Sequence, residues 1–449
     1  MNRVTRFALC LPLLLSAAAA QRQSAGGKAS PVTPYKLIAL KVTGTARYTD
    51  KEILAASGLQ MGQNAADGDF KEAVQRLGNS GVFSNVVYSY SSSNAGVRLE
   101  FQLADTDQSK LVPARFENFV WFTDDELRTE LQSRVPLFKE LLPIAGNLPD
   151  RVSEALQALL TEKQFPGRVD FLRSEEESSG TLNAIVYRVE EVSIRIRGVE
   201  FPGASPEQAA LLTTAARRFT GAEYGRSTLA AAAKFDLLPV YLQRGYLKAA
   251  FAPSDARVVP QPAAAADAQG PAELHSELQV DAIVPVMPGK VYSTSSVEWK
   301  GNSAIATGEV AALIHMPAGQ PADAVRLLRD IESLNKLYRS RGYMMVRIKS
   351  NAQFDEEKST VRYDLNVVEG DLYKMGELEI VGLDTQAKAR MLAAWRLREG
   401  QPYNADYPRK YLDDTRDLVP RGVQWAISVH ETPDVKDKTV DVEIRFKQQ

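Results

Sequence analysis

The sequence predicts an α+β fold built from five tandem strand–helix–helix–strand–strand modules. Each module is a three-stranded mixed sheet with two helices on one face, and the modules follow one another as an elongated array. Three observations predict it. Strands of period two recur, at Val97, Leu99, Phe101 and Leu103, at Leu278, Val280, Ala282 and Val284, at Val361, Tyr363, Leu365 and Val367, and at Val440, Val442, Ile444 and Phe446. Helix-start signatures follow the strand that opens a module. A glycine followed by an aromatic closes the second helix, at Gly81 and Phe83, Gly245 and Tyr246, and Gly342 and Tyr343.

The first module covers 35–105. Leu37 to Val42 read as a strand stopping at Gly44, and Thr49-Asp50-Lys51-Glu52 is a capping box opening a helix. A second helix spans about Asp69 to Asn79, and Val86 to Tyr90 form the next strand. The second module, 111–190, repeats this order with divergence: Thr123 to Glu126 is a capping box, and the second helix covers about Pro149 to Lys163. There Gln164-Phe165-Pro166 replaces the glycine–aromatic pair, and Asn118 stands where other first strands end on glycine.

The third module, 191–288, has Ile194 and Ile196 in a strand expected to stop at Gly198, then Ser205-Pro206-Glu207-Gln208 as cap, proline and box partner. Residues 260–271, rich in Ala and Pro, read as a disordered hairpin tip. The fourth module, 289–370, opens on Val297, Trp299 and Gly301, and Leu327, Leu328, Ile331, Leu334, Leu337 and Tyr338 share one helical face. Met344 to Lys349 read as its next strand. The fifth, 371–449, opens on Leu378, Ile380 and Gly382, with helices near Thr385 to Leu397 and Ala405 to Leu418.

Composition bounds the function. Among 449 residues, 44% are hydrophobic and 24% charged, a globular balance, and the net charge of −2 offers no bulk attraction for nucleic acid. Two arginines, the apolar run Phe7 to Leu15 and the small residues Ser16 to Ala20 read as a secretory signal peptide over 1–20, with a flexible tail over 21–34. Cys10, the one cysteine, falls inside that signal, which leaves the mature chain no thiol chemistry. No later run supplies the ~20 apolar residues of a membrane helix. His275, His315 and His430 lack ligand spacing, and no phosphate-loop, dinucleotide, nucleophile-elbow or zinc-protease signature occurs, so neither cofactor, metal nor enzyme activity is expected.

This order, carried best by Ser80-Gly81-Val82-Phe83, Arg244-Gly245-Tyr246, Arg341-Gly342-Tyr343 and the junction from Glu369-Gly370 to Gly382, resembles polypeptide-transport-associated (POTRA) domains. Five behind a signal peptide resemble the periplasmic arm of the BamA family of outer-membrane assembly factors. Members of that family follow the repeats with a membrane barrel, whereas three residues follow Phe446 here, so the expectation is an arm without the pore.

The resemblance implies a periplasmic scaffold, peripheral to the outer membrane, that holds unfolded outer-membrane or secreted polypeptides along open sheet edges. In POTRA domains the strand after the second helix typically forms such an edge. Mapped here, the edges are Asn85 to Tyr90, Arg168 to Arg173, Tyr246 to Ala252, Met344 to Lys349 and Gln424 to Val429. The first candidate is Met344, Met345, Val346, Arg347, Ile348 and Lys349; the second is Asn85, Val86, Val87 and Tyr88. The glycine–aromatic pairs are read as structural, with glycine leaving the helix left-handed and the aromatic plugging the space between helix and sheet. Two other readings stay open. One is a docking arm for a separately encoded barrel, assembly-complex subunits or another folded envelope partner; the other is a hydrolase with a cryptic site.

Overall fold

The structure, a computed structural model, describes residues 35–176, 179–260, 276–420 and 422–448. The signal peptide, the tail, Cys10, His275 and residues 261–271 of the Ala/Pro segment lie outside the described residues. Two compact units are present. One comprises residues up to Ala114, Thr129–Ala155 and Arg173–Ile185; the other comprises Arg115–Arg128, Leu156–Leu172 and the residues from Val186 onward.

In the first unit, Tyr35–Thr43 runs parallel to Gly96–Asp105, which pairs antiparallel with Phe83–Ser93. The helix Asp50–Ser57 starts at the foreseen box, with the Glu52 amide donating to Thr49 Oγ1 and the Thr49 amide to Glu52 Oε2. The helix Asp67–Asn79 buries Phe70, Ala73 and Leu77. Val97, Leu99, Phe101 and Leu103 are buried on the central strand while Arg98 and Gln102 are exposed, so one face of this sheet meets the core.

The same topology recurs in the second unit. Val192–Glu200 is parallel to Ser276–Ile283, which pairs antiparallel with Asp255–Val258. Ser293–Lys300 is parallel to Thr360–Val368, which pairs with Arg347–Asp355. Lys374–Val381 is parallel to Thr439–Gln448, which pairs with Trp425–Asp434. The helix Ala324–Ser340 lays Leu327, Ile331, Leu334 and Tyr338 against Val361, Tyr363, Leu365 and Val367, the partner its apolar face required. Over residues 111–190 the strands Leu141–Pro143, Leu111–Phe116, Leu182–Glu190 and Arg168–Glu175 are neighbours in that order.

Several expectations need correction. Two sheets have a fourth short strand, Asn64–Ala65 and Leu141–Pro143, because the segment between the helices turns back onto the first strand. Gly198 does not stop its strand, which runs on through Glu200. The stop is Gly203, at φ +91, where a Cβ would stand 2.2 Å from the Val286 carbonyl oxygen. Asn118 closes the corresponding corner by side chain instead: Nδ2 donates to the Val189 carbonyl at 2.8 Å and Oδ1 accepts the Val189 amide at 2.7 Å.

Tyr246 to Ala249 form turns rather than strand, and pairing there is confined to Ala250–Phe251 against Val286–Met287. The long helix before it passes from Arg226–Ala232 into a π-helical turn at Ala233–Leu237, just ahead of Pro239, which has no amide hydrogen to donate. Its first turn is capped from a distance, since Gly225 has no side chain and Glu117 Oε2 accepts the Ser227 amide at 3.0 Å. Arg226 is buried beside it, donating to the Phe122 carbonyl at 2.6 Å and pairing with Asp124 at 3.1 Å.

Candidate functional site

A sheet of this topology has two edges, and the segment between the two helices closes one of them. On the first-strand side, the segment between the helices donates into the strand and accepts from it. In the sheet opened by Ser293–Lys300, Gly319 N–H donates to the Thr294 carbonyl at 2.8 Å, the Thr294 N–H donates to the Gln320 carbonyl at 2.9 Å, and Ser293 bridges to Pro321. Gly319 sits at φ +79, a conformation that lets the chain reverse there. The exchange recurs at Gly62 with Leu37 and Gln63, at Gly221 with Ile196 and Ala222, and at Gly400 with Met375 and Gln401. A sequence signal outside the five-module pattern marks this closure, Gly followed by Gln or Ala and, two residues on, a buried Ala or Tyr: Ala65, Tyr224, Ala322 and Tyr403.

On the opposite side, Phe83–Ser93, Arg347–Asp355 and Trp425–Asp434 each end their sheet with no further strand among the described residues. Pro433 in the last of these fits an edge, since proline cannot donate to a second neighbour.

Within Arg347–Asp355, Ile348, Ser350, Ala352 and Phe354 lie opposite the buried Val367, Leu365, Tyr363 and Val361, and so share the helix-side face. Arg347, Lys349, Asn351 and Gln353 are exposed on the other face. The far end of this edge is clamped. Phe354 packs edge-on against Tyr292 at 5.0 Å, Lys248 lies over the Phe354 ring, and Tyr292 Oη donates to Glu356 Oε2 at 2.8 Å. Lys248 also pairs with Glu356 and holds that carboxyl below its usual range.

The structure divides the first candidate set. Arg347, Ile348 and Lys349 are on the edge strand, but Met344, Met345 and Val346 are not. Turn bonds from the Met344 amide to Gly342 and from the Val346 amide to Tyr343 occupy those residues, and the ladder begins at Arg347 opposite Val368. Met344 packs against the core around Tyr373 and Met391, while Val346 joins its own core beside Tyr338. Asn85, Val86, Val87 and Tyr88 all lie on the edge strand Phe83–Ser93. The mapped edge at Gln424 begins one residue later, at Trp425, and Arg168 opens Arg168–Glu175 as mapped.

Gly81, Gly245 and Gly342 take φ of +83, +82 and +93, and the aromatics that follow pack on rings within the same fold: Phe83 on Tyr48, Tyr246 on Tyr241, Tyr343 on Tyr338. These glycines also do something that sequence did not reveal. A Cβ at Gly342 would meet the Tyr373 carbonyl oxygen at 2.9 Å, and the Tyr373 amide donates to the Gly342 carbonyl at 2.8 Å. The Tyr292 amide donates to Gly245 at the same 2.8 Å, so Gly245 and Gly342 each hold the residue that leads into the first strand of the following sheet.

His315 and His430 serve local ties. His315 Nδ1 is 3.1 Å from Asp330 Oδ1, whose carboxylate also accepts Arg326 Nε at 3.0 Å, and His430 Nε2 is 3.3 Å from Ser428 Oγ. Among the described residues no group of three or more His, Cys, Asp or Glu could hold a metal ion, and no helix is long and apolar enough to cross a membrane.

Residues 292–370 match the POTRA family model, described as surface antigen variable number repeat. Among solved structures, the chain is similar to POTRA domains 3–5 of Haemophilus influenzae BamA at 17% identity, over 57% of this chain and 96% of that one, with a TM-score of 0.43. The N-terminal domain of Omp85 from Thermosynechococcus elongatus matches at 17% identity over 57% of this chain and 97% of that one, with a TM-score of 0.22. CdiB from Escherichia coli matches at 15% identity over 54% of this chain and 35% of that one, with a TM-score of 0.21.

Proposed function

Given that residues 292–370 are a POTRA domain, we propose that the chain is a periplasmic polypeptide-binding arm assisting assembly of outer-membrane β-barrel proteins or protein translocation. Unfolded outer-membrane or secreted segments add to its sheets as extra strands. The five-module organisation over 35–105, 111–190, 191–288, 289–370 and 371–449 belongs to this reading. So do export by the 1–20 signal and a location peripheral to the outer membrane, and no reactive centre is required of it.

One observation carries the proposal. The POTRA sheet closes its first-strand edge with Gly319 to Pro321, while Arg347–Asp355, paired on its inner side with Thr360–Val368, has no strand on its outer side among the described residues. An edge strand offers a row of amides and carbonyls, so affinity comes from main-chain bonds with loose side-chain selection. That suits clients with no common sequence. Arg347 and Lys349 at its start are charged residues of the kind that blunt an exposed edge against unselective strand pairing.

The test is site-specific photocrosslinking on the full chain, with a photoreactive residue at Asn351 and a control at Arg362 on the central strand. A urea-denatured barrel protein diluted into the reaction should crosslink at Asn351 and not at Arg362. Along an antiparallel edge the amides alternate between inward and outward. Of Lys349→Pro and Ser350→Pro, adjacent positions that leave the Asn351 crosslinker in place, the variant whose lost amide faced outward should therefore abolish crosslinking with its thermal melt little changed. Crosslinking only to a folded barrel would replace client holding by docking, and equal yields at the two sites would end the edge reading.

A further inference from the structure

The open edges differ in what lines their helix-side face. Opposite Phe101 and Leu99, the strand Phe83–Ser93 places Tyr88 and Tyr90. At the matching positions of Arg347–Asp355, opposite Leu365 and Tyr363, stand Ser350 and Ala352. In Trp425–Asp434, opposite Ile444 and Val442, stand Val429 and Glu431. Glu431 is already engaged, accepting Tyr403 Oη at 2.7 Å and Arg339 at 3.0 Å. Of these three edges, only the first carries two aromatic rings side by side.

Those rings are held in place. Tyr88 and Tyr90 lie nearly parallel, 11° apart, with centroids 6.4 Å from each other. Both rest on the buried Phe70, Tyr90 at 5.2 Å and Tyr88 at 6.3 Å. Tyr88 Oη donates to Asp67 Oδ1 at 2.7 Å, which fixes its ring, and Lys71 with this bond holds the carboxyl below its usual range. Tyr90 keeps 45% of its surface exposed, so the pair presents ring surface that the fold itself leaves uncovered.

We infer that the edge Phe83–Ser93 selects extended segments that carry aromatic side chains two residues apart. The inference rests on the edge-pairing function proposed above and names the client class of one edge. In a strand added beside Phe83–Ser93, residues i and i+2 lie on one face, laterally adjacent to Tyr88 and Tyr90. Aromatic side chains there form edge-to-face or offset pairs with rings already ordered, so little further conformational freedom is lost. Two such pairs make the affinity for a segment with two aromatics about tenfold higher than for an aliphatic counterpart. The edge Arg347–Asp355, lined by Ser350 and Ala352, has no ring at those positions and does not discriminate.

The experiment uses the full chain and two short fluorescent peptides of alternating Thr, one with Phe at two successive same-face positions and one with Leu there. A photoreactive residue at Ser91 reports occupancy of this edge. The Phe peptide should bind the Ser91 edge about tenfold more tightly than the Leu peptide. Tyr90→Leu, which keeps an apolar side chain over Phe70, should remove most of that preference while leaving Leu-peptide binding unchanged. Placing the pair elsewhere, with Ser350→Tyr and Ala352→Tyr, should create the preference at a crosslinker on Asn351. Equal binding of both peptides at Ser91 overturns the selectivity and leaves edge pairing intact. No crosslink of either peptide at Ser91 or Asn351 removes edge pairing itself.

Discussion

Gly301 takes φ +88, and a Cβ there would stand 2.1 Å from the Val367 carbonyl oxygen. The same collision awaits Gly44 at Leu103 and Gly382 at Phe446, so in these three sheets the chain leaves the first strand at a position that has no room for a side chain. Gly301→Ala should cost at least about 2 kcal/mol in urea unfolding, from the left-handed backbone and the displaced carbonyl together. Gly308→Ala, in a helix of the same domain with no atom within 4 Å of the new methyl, should instead stabilise by up to about 1 kcal/mol. Buried tyrosines give a pH signature. Burial pushes the Tyr48, Tyr363 and Tyr411 hydroxyls up to about 12. Because the folded pKa lies above the unfolded one, their contribution is intact below pH ~10 and is lost as pH rises toward 12. Ultraviolet titration of phenolate should show a second step near 12 in the folded chain, merging with the first in denaturant.

At the scale of elements, helix ends show how local chemistry survives divergence. Gln164 occupies φ +58 after the helix Leu148–Glu162, the left-handed position that Gly81, Gly245 and Gly342 fill elsewhere. Phe165 keeps the aromatic role by stacking on Trp121 at 4.8 Å and 9°. Gln164→Gly should therefore raise stability by about 1 kcal/mol, read as a higher urea midpoint at unchanged slope. The foreseen boxes at Thr49, Thr123 and Ser205 all form, since each needs only residues three apart. Edge strands obey a different logic: their alternation is set by one neighbour, and their function depends on the neighbour they lack.

For the whole molecule, the joints within the second unit set what moves together. The Tyr373 amide donates to Gly342 and the Tyr373 carbonyl accepts the Tyr403 amide at 2.9 Å, so one buried tyrosine ties two successive sheets. Tyr292 repeats this between Gly245 and Ala322. Repeats that touch only neighbours transmit strain only through such joints. Gly342→Ala, whose methyl would meet Leu372 Cδ1 at 2.8 Å as well as the Tyr373 carbonyl, should raise amide exchange of Tyr373 at least about tenfold. Exchange over Tyr35–Thr43 should not change, and an equal rise there would show that the effect is global.

Much of the fold was legible in the chain because it rests on short-range rules. Alternation at Val97 to Leu103, Val361 to Val367 and Val440 to Phe446 marked the central strands, and every one of those side chains is buried. Capping residues marked helix starts, and left-handed glycines marked helix ends. What sequence misplaced depends on residues far apart meeting. Met344 to Val346 look strand-like by hydrophobicity, yet turn bonds to Gly342 and Tyr343 and a neighbouring core claim them. Gly198 looks like Gly301, yet only Gly203 faces a carbonyl that forbids a Cβ. Arg226 carries no sequence mark of burial; Phe116, Phe122 and Asp124, about a hundred residues earlier, supply its partners. The amino-acid order thus determined the buried face of the central strands and the starts of the helices, through patterns and bonds spanning a few residues. Tertiary structure alone decided which sheet edge is closed and which stays free, because that depends on where the segment between two helices comes to rest.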